Sequence, residues 1–145
     1  MADAGQVAGV EMLFFGALIF VVGILVVANA WGVLDAKLVA GDAAREAAWA
    51  FVQAGSQSAA SAAALDAADQ AVSAHGRDPS HLSLQIDGTL ARCHRVVAQA
   101  SYRTVLISLP WVGALAGSFT ASARHSELVD PYRSGLPVSN AACAG

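Results

Sequence analysis

The chain begins with a long apolar run that gives way to a mixed polar pattern. From Met12 to Leu34 there is no Asp, Glu, Lys or Arg, and Asn29 is the strongest polar group. As a helix rising about 1.5 Å per residue, the run reaches roughly 35 Å. About 20 apolar residues suffice to cross the hydrocarbon core of a bilayer. Each Leu, Ile, Val or Phe favours insertion by about 0.3–0.6 kcal/mol, so the pattern predicts a transmembrane helix over residues 12–34. Two other origins compete for the same pattern. A buried core helix would need a large shell around it, which the polar remainder of the chain is too short to supply. A cleaved secretory signal would carry a basic front and a shorter apolar core. Here the front holds Asp3 and Glu11, and the run passes unbroken into LDAKLVAGDAAREAAWAFVQA.

Nothing but single glycines interrupts a helix from Glu11 to about Ala54, and the first proline is Pro79. Alanine dominates residues 35–54, and Asp35, Asp42, Glu46 and Gln53 recur near a helical period. The expectation is one continuous or gently bent helix that leaves the membrane and projects outward. GSQS at 55–58 reads as a stop and a fresh N-cap. A second, Ala-rich helix follows and ends at Gly76. RDPS is a turn. The period then changes to two: Leu82, Leu84 and Ile86 share one face, and Asp87-Gly88 is expected to turn tightly. TLARCHRVVAQASYRTVLISLP has the Val, Thr, Tyr and Ile content of one long strand, or of two joined by a bulge. WVGALAG reads as a loop, SFTASARHSELV alternates again, and DPYRSGLPVSNAACAG reads as an extended tail. The fold class is therefore α+β, with three or four antiparallel strands backed by helix. The divisions are a short leader at 1–11, a transmembrane helix at 12–34, a helical stalk at 35–76, a small antiparallel sheet at 77–129 and a tail at 130–145. Such a sheet is marginal alone, so a staple or a partner is expected to support it.

Composition changes this picture little. Charged residues are 13% of the chain, against roughly 25% in an average soluble domain, and mean hydropathy is +0.53. Net charge is −3 with no Lys/Arg cluster, so nucleic-acid binding has no electrostatic footprint. Along the apolar helix, Gly9, Gly16, Gly23 and Ala30 fall every seventh residue and lie along one side. In lipid, small residues let helices approach closely, which makes this side a candidate packing face; glycine is also simply common in membrane helices. Glu11 stands against the leading edge of the run. A carboxylate there is either a solvated rim group or a registry point for a cation on a neighbouring subunit, such as a new α-amino group.

Candidate chemistry is sparse. Cys93 and Cys143 are the only cysteines; outside the cell they form a candidate disulfide tying the tail to a strand, the other reading being two free thiols. His75, His81, His94 and His125 lack metal-ligand spacing, and neither HExxH nor CxxC occurs, so no metal and no other cofactor is expected. His125, Ser126, Glu127 and Asp130 are close in sequence, but strand neighbours alternate faces and no GxSxG elbow is present. DPYR reads as a turn in which Asp130 bonds its own backbone, with Asp130, Tyr132 and Arg133 as candidate docking residues. No catalytic residue, small-molecule substrate or enzymatic activity is expected.

Gly5, a short polar piece, Glu11 and the apolar helix together resemble a prepilin-type N-terminus. More specifically, GQVAGVEMLFFGALIFVVGILVVANAWGVLDAKLVAGDAAREAAWAFVQA, SYRTVLISLPWVGALAG and ARHSELVDPYRSGLP resemble the TadE-like minor pseudopilins of actinobacterial tight-adherence (Tad, or Flp) pilus loci. The resemblance implies a single-pass, non-catalytic component of a pilus assembly or secretion apparatus. It implies trimming by a prepilin peptidase after Gly5, subunit registry through Glu11, and other pilin-like subunits and assembly proteins as partners. It also places the C-terminal domain outside the cell, whereas Lys37 and Arg45 after the helix, with nothing basic before it, favour the opposite orientation by charge alone. The rival expectation is a membrane-anchored extracytoplasmic binding module that never assembles into filaments.

Overall fold

The computed structural model describes residues 4–105 and 117–137, with the side chains of residues 4–10 and 105 left aside. Helix α1 (Ala4–Gln53) runs for 50 residues without a break, about 75 Å at the usual rise. Among the described residues its first half is left largely exposed, and its second half is the spine of a small α+β head. Helix α2 (Gln57–Ala74) doubles back along that spine, and a 3-10 turn (Pro79–His81) leads into a three-stranded sheet. The strands are β1 (Leu82–Asp87), β2 (Arg95–Val105) and β3 (Ser118–Leu128), antiparallel in the order β1-β2-β3.

The reversal between the helices is built from local chemistry. Ser56 sits in extended conformation as the N-cap of α2, and its hydroxyl accepts the Ala59 N–H at 3.2 Å, satisfying one of the helix's orphan donors. At the other end, Gly76 takes φ +67. Its N–H donates to the Ser73 carbonyl and the Arg77 N–H to the Val72 carbonyl, the paired bonds of a Schellman ending.

Alanine sets the packing. The buried residues of α1 recur three or four apart as Ala36, Val39, Ala40, Ala43, Ala44, Ala47, Ala48 and Phe51, and α2 buries Ala60, Ala64, Ala68 and Val72 at intervals of four. Small side chains on both faces let the helix axes approach toward the short end of the ~8–10 Å range. The sheet lies against the other side of α1 through its inner face. There the register aligns Leu82, Tyr102 and Ala121, then Leu84, Ala100 and Ala123, all buried or half-buried. The outer face is polar, with Ser83, Ser101 and Ser122 in one row and Gln85, Gln99 and Arg124 in the next.

The connection from β1 to β2 is longer than the sequence suggests. Gly88 does turn the chain, with φ +128, and a Cβ on it would lie 3.0 Å from the Arg95 carbonyl oxygen and from the Val96 Cα. Residues 89–94 nevertheless stay out of the ladder, and β2 opens at Arg95. Two forces pull them away. Leu90 enters the core while its N–H donates to the Gln57 side chain at 2.7 Å. Beyond it, Cys93 takes φ 63 and bonds the Val129 carbonyl, and His94 accepts the Val129 N–H. The described part of the tail, 130–137, folds back in turns, its Pro137 carbonyl accepting from the Arg92 N–H at 3.0 Å.

Candidate functional site

Most of the described residues singled out as candidate sites fall in two regions, the apolar half of α1 and the far end of the head. On α1, Met12 to Leu34 are almost uniformly solvent-facing within the chain, with Met12 77%, Phe20 68% and Trp31 72% exposed. The helix is long and apolar enough to cross a membrane, which makes it the one candidate membrane span among the described residues. Asn29 does not break it, because its side-chain amide donates to the Leu25 carbonyl one turn back at 2.8 Å and so brings its own partner into an apolar setting. Glu11 is exposed at the start of this stretch. Gly5 and Gly9 lie in the first turns of the same helix.

Among the described residues, nothing demands glycine at the tested positions of the apolar half. A Cβ added at Gly16, Gly23 or Gly32 would meet no atom within 4 Å. Gly23 and Ala28 instead leave a shallow apolar groove between Phe20 and Trp31. A heptad spacing drifts by ~20° per repeat on a straight α-helix, so Gly16, Gly23 and Ala30 stay within one narrow strip.

At the far end of the head, Asp130, Tyr132 and Arg133 come together in one turn but do different things. The Asp130 carboxylate accepts the Tyr132 N–H at 2.8 Å. Tyr132 points outward and is 92% exposed. Arg133 turns inward: its guanidinium donates to the carbonyls of Val52, Gln53 and Ala54, the latter two at 2.5 and 2.7 Å. These are orphan acceptors at the end of α1, where a cation is also favoured by the helix dipole. Arg133 therefore caps the spine from roughly 80 residues away in sequence. From sequence alone this arginine is a candidate docking residue, and its tie to the end of α1 is not foreseen. The usable signal is that α1 ends at Gln53 with no basic residue in its last turn.

The histidines are dispersed. His75 Nε2 lies 2.9 Å from Asp42 on α1, and beside it Arg77 bonds Asp35. These two pairs fasten the C-terminal end of α2 to the spine, and neither follows from sequence spacing. His81 stands edge-on to Tyr102 at 6.3 Å, His94 Nδ1 faces the Thr89 N–H, and His125 bonds Glu127 on the same sheet face at 2.9 Å. Ser126 lies on the opposite face, where Arg95 donates to it, so His125, Ser126 and Glu127 form no relay. Among the described residues no cluster of three or more His, Cys, Asp or Glu is placed to hold a metal. Asp78 caps the 3-10 turn. Hydrogen bonds from the Ser80 N–H and then its side chain, with the charge of His81 adding to them, hold its carboxyl below the usual carboxylate range. The expected bond from Cys93 to Cys143 involves a residue outside the described ones.

No family model matches the chain, and no curated protein or solved structure matches it.

Proposed function

We propose that this chain is a pilin-like, TadE-like structural or accessory subunit of a tight-adherence pilus or related secretion apparatus. In this reading it is held in the membrane by the first half of α1, with its head outside. The supporting observation is the continuity of α1. One unbroken helix is bare and apolar over its first half and packed by α2 and the sheet over its second. A membrane span that is also the head's spine transmits a lateral contact in the bilayer rigidly to the exterior, as a filament or its assembly platform needs and a flexibly tethered ligand-binding module does not.

Within this reading Glu11 lies at the membrane rim and registers the subunit against a neighbour's α-amino group, which a prepilin peptidase exposes by cutting after Gly5. The strip of Gly16, Gly23 and Ala30 supplies close helix contact in lipid. The protein acts by assembly and performs no catalysis. Deleting its gene in the host is the direct test: loss of surface filaments is the expected result. Intact filaments with another surface defect would favour the non-assembling binding module. Glu11→Ala sharpens the test, because co-isolation with partner subunits that is unchanged by it would remove the registry role.

A further inference from the structure

The near end of the head, where it meets the apolar half of α1, carries an arrangement the proposed function leaves unused. Two ties fix which end this is. Arg77 bonds Asp35, the first charged residue after the apolar run, while Arg133 holds the opposite end of the spine. The chain passes from Arg77 through the 3-10 turn into Leu82, which pairs with Tyr102. The start of β1 and the end of β2 therefore lie at the height of Asp35, where the span would leave the hydrocarbon and enter the headgroup layer.

On the outward face at this end a depression of ≈ 230 Å³ is lined by Ser80, His81, Ser83, Ser101, Arg103 and Thr120 among its residues, and by no carboxylate. Arg103 and Thr120 are register partners, as are Ser83 and Ser101, so donors from all three strands converge. Among the described residues, Arg103 has no ion-pair or hydrogen-bond partner, and the hydroxyls of Ser83, Ser101 and Thr120 likewise have none. The nearest acid in sequence, Asp78, faces the Ser80 N–H, and the other local cation, Arg77, is taken by Asp35. A guanidinium beside several hydroxyls, with no carboxylate competing among the described lining residues, suits an oxyanion that only accepts hydrogen bonds.

We infer that this depression seats the phosphate of a membrane phospholipid headgroup, with Arg103 supplying the charge and the Ser and Thr hydroxyls the remaining donors. The site locks the head against the bilayer at a fixed height and rotation. It rests on the membrane placement of α1, which is scored separately in the test by co-sedimentation of the protein with liposomes.

The experiment is native mass spectrometry of the full chain in detergent micelles titrated with dioleoylphosphatidylglycerol, with dioleoylglycerol or with inorganic phosphate. The unmodified chain is expected to retain phosphatidylglycerol and not dioleoylglycerol. Arg103→Ala should weaken retention about tenfold, the worth of one charge-assisted hydrogen bond, with Arg103→Lys in between. Arg124→Ala, which removes the same charge from the same sheet face, should change nothing. Equal retention by wild type and Arg103→Ala overturns the site, and so does an equal loss in Arg103→Ala and Arg124→Ala. Arg103-dependent binding of inorganic phosphate as tight as that of the lipid overturns the headgroup as its source. An unmodified chain that co-sediments with liposomes but retains no phosphatidylglycerol in micelles overturns this site while leaving the membrane placement of α1 standing.

Discussion

The two halves of α1 share one backbone and opposite ways of burying it. Over Met12–Leu34 the side chains are large, Leu, Ile, Val and Phe, and they face outward on every side. Over Ala36–Phe51 the buried positions are mostly alanine, and they are covered by α2 on one side and the sheet on the other. Large apolar groups suit a half whose solvent is lipid, because insertion energy grows with each of them. Alanine suits a half whose neighbours are protein, because it admits two close layers around a single helix and is itself the best helix former. In the proposed membrane reading, one helix is thereby stabilised by two different media, and the boundary near Asp35 is where the medium changes.

Substitutions of one type in each half break the comparison most sharply. Val22→Arg puts a charge near the middle of the apolar half and should cost about 3 kcal/mol of insertion free energy. A translocation assay on the full chain should show the loss, while Lys37, just past the boundary, already tolerates its charge. In the packed half, Ala44→Leu should destabilise the head by about 2 kcal/mol through overpacking. The same change at Ala17 should leave head stability untouched in denaturant titrations of the detergent-solubilised protein. Arg133→Ala strips the cap from the far end of α1 and should cost about 1.5 kcal/mol; hydrogen exchange should then rise at Phe51–Ala54 before anywhere else in the helix. The mildest contrast is between glycines. Gly41→Ala, where a Cβ meets nothing within 4 Å, should stabilise the head by about 0.5–1 kcal/mol. Gly23→Ala should leave the head unchanged and weaken self-association in micelles, as measured by cross-linking.

Much of this division was legible from pattern alone, because long, periodic features are dictated by local physics. The uncharged run, the break at Gly55-Ser56, the ending at Gly76 and the alternation of Leu82, Leu84 and Ile86 each carry a mechanism that acts within a few residues. The start of β2 was not legible. Val129 reaches back to bond both Cys93 and His94, and Leu90 drops into the core, so tertiary contacts override the strand propensity of 89–94. The capping role of Arg133 was not legible for a related reason: the carbonyls it bonds are distant in sequence, and no local rule pairs them. The near-end depression around Arg103 was equally hidden, since it exists only once three strands and the 3-10 turn are in register.

The measurement that bears most directly on the central claim is alkaline carbonate extraction of membranes from cells expressing the full chain. If the bare half of α1 resides in the bilayer and the packed half carries the head beyond it, the protein stays with the membrane pellet, and only detergent releases it. Recovery of the chain in the soluble fraction as a monodisperse monomer would contradict that division of the helix.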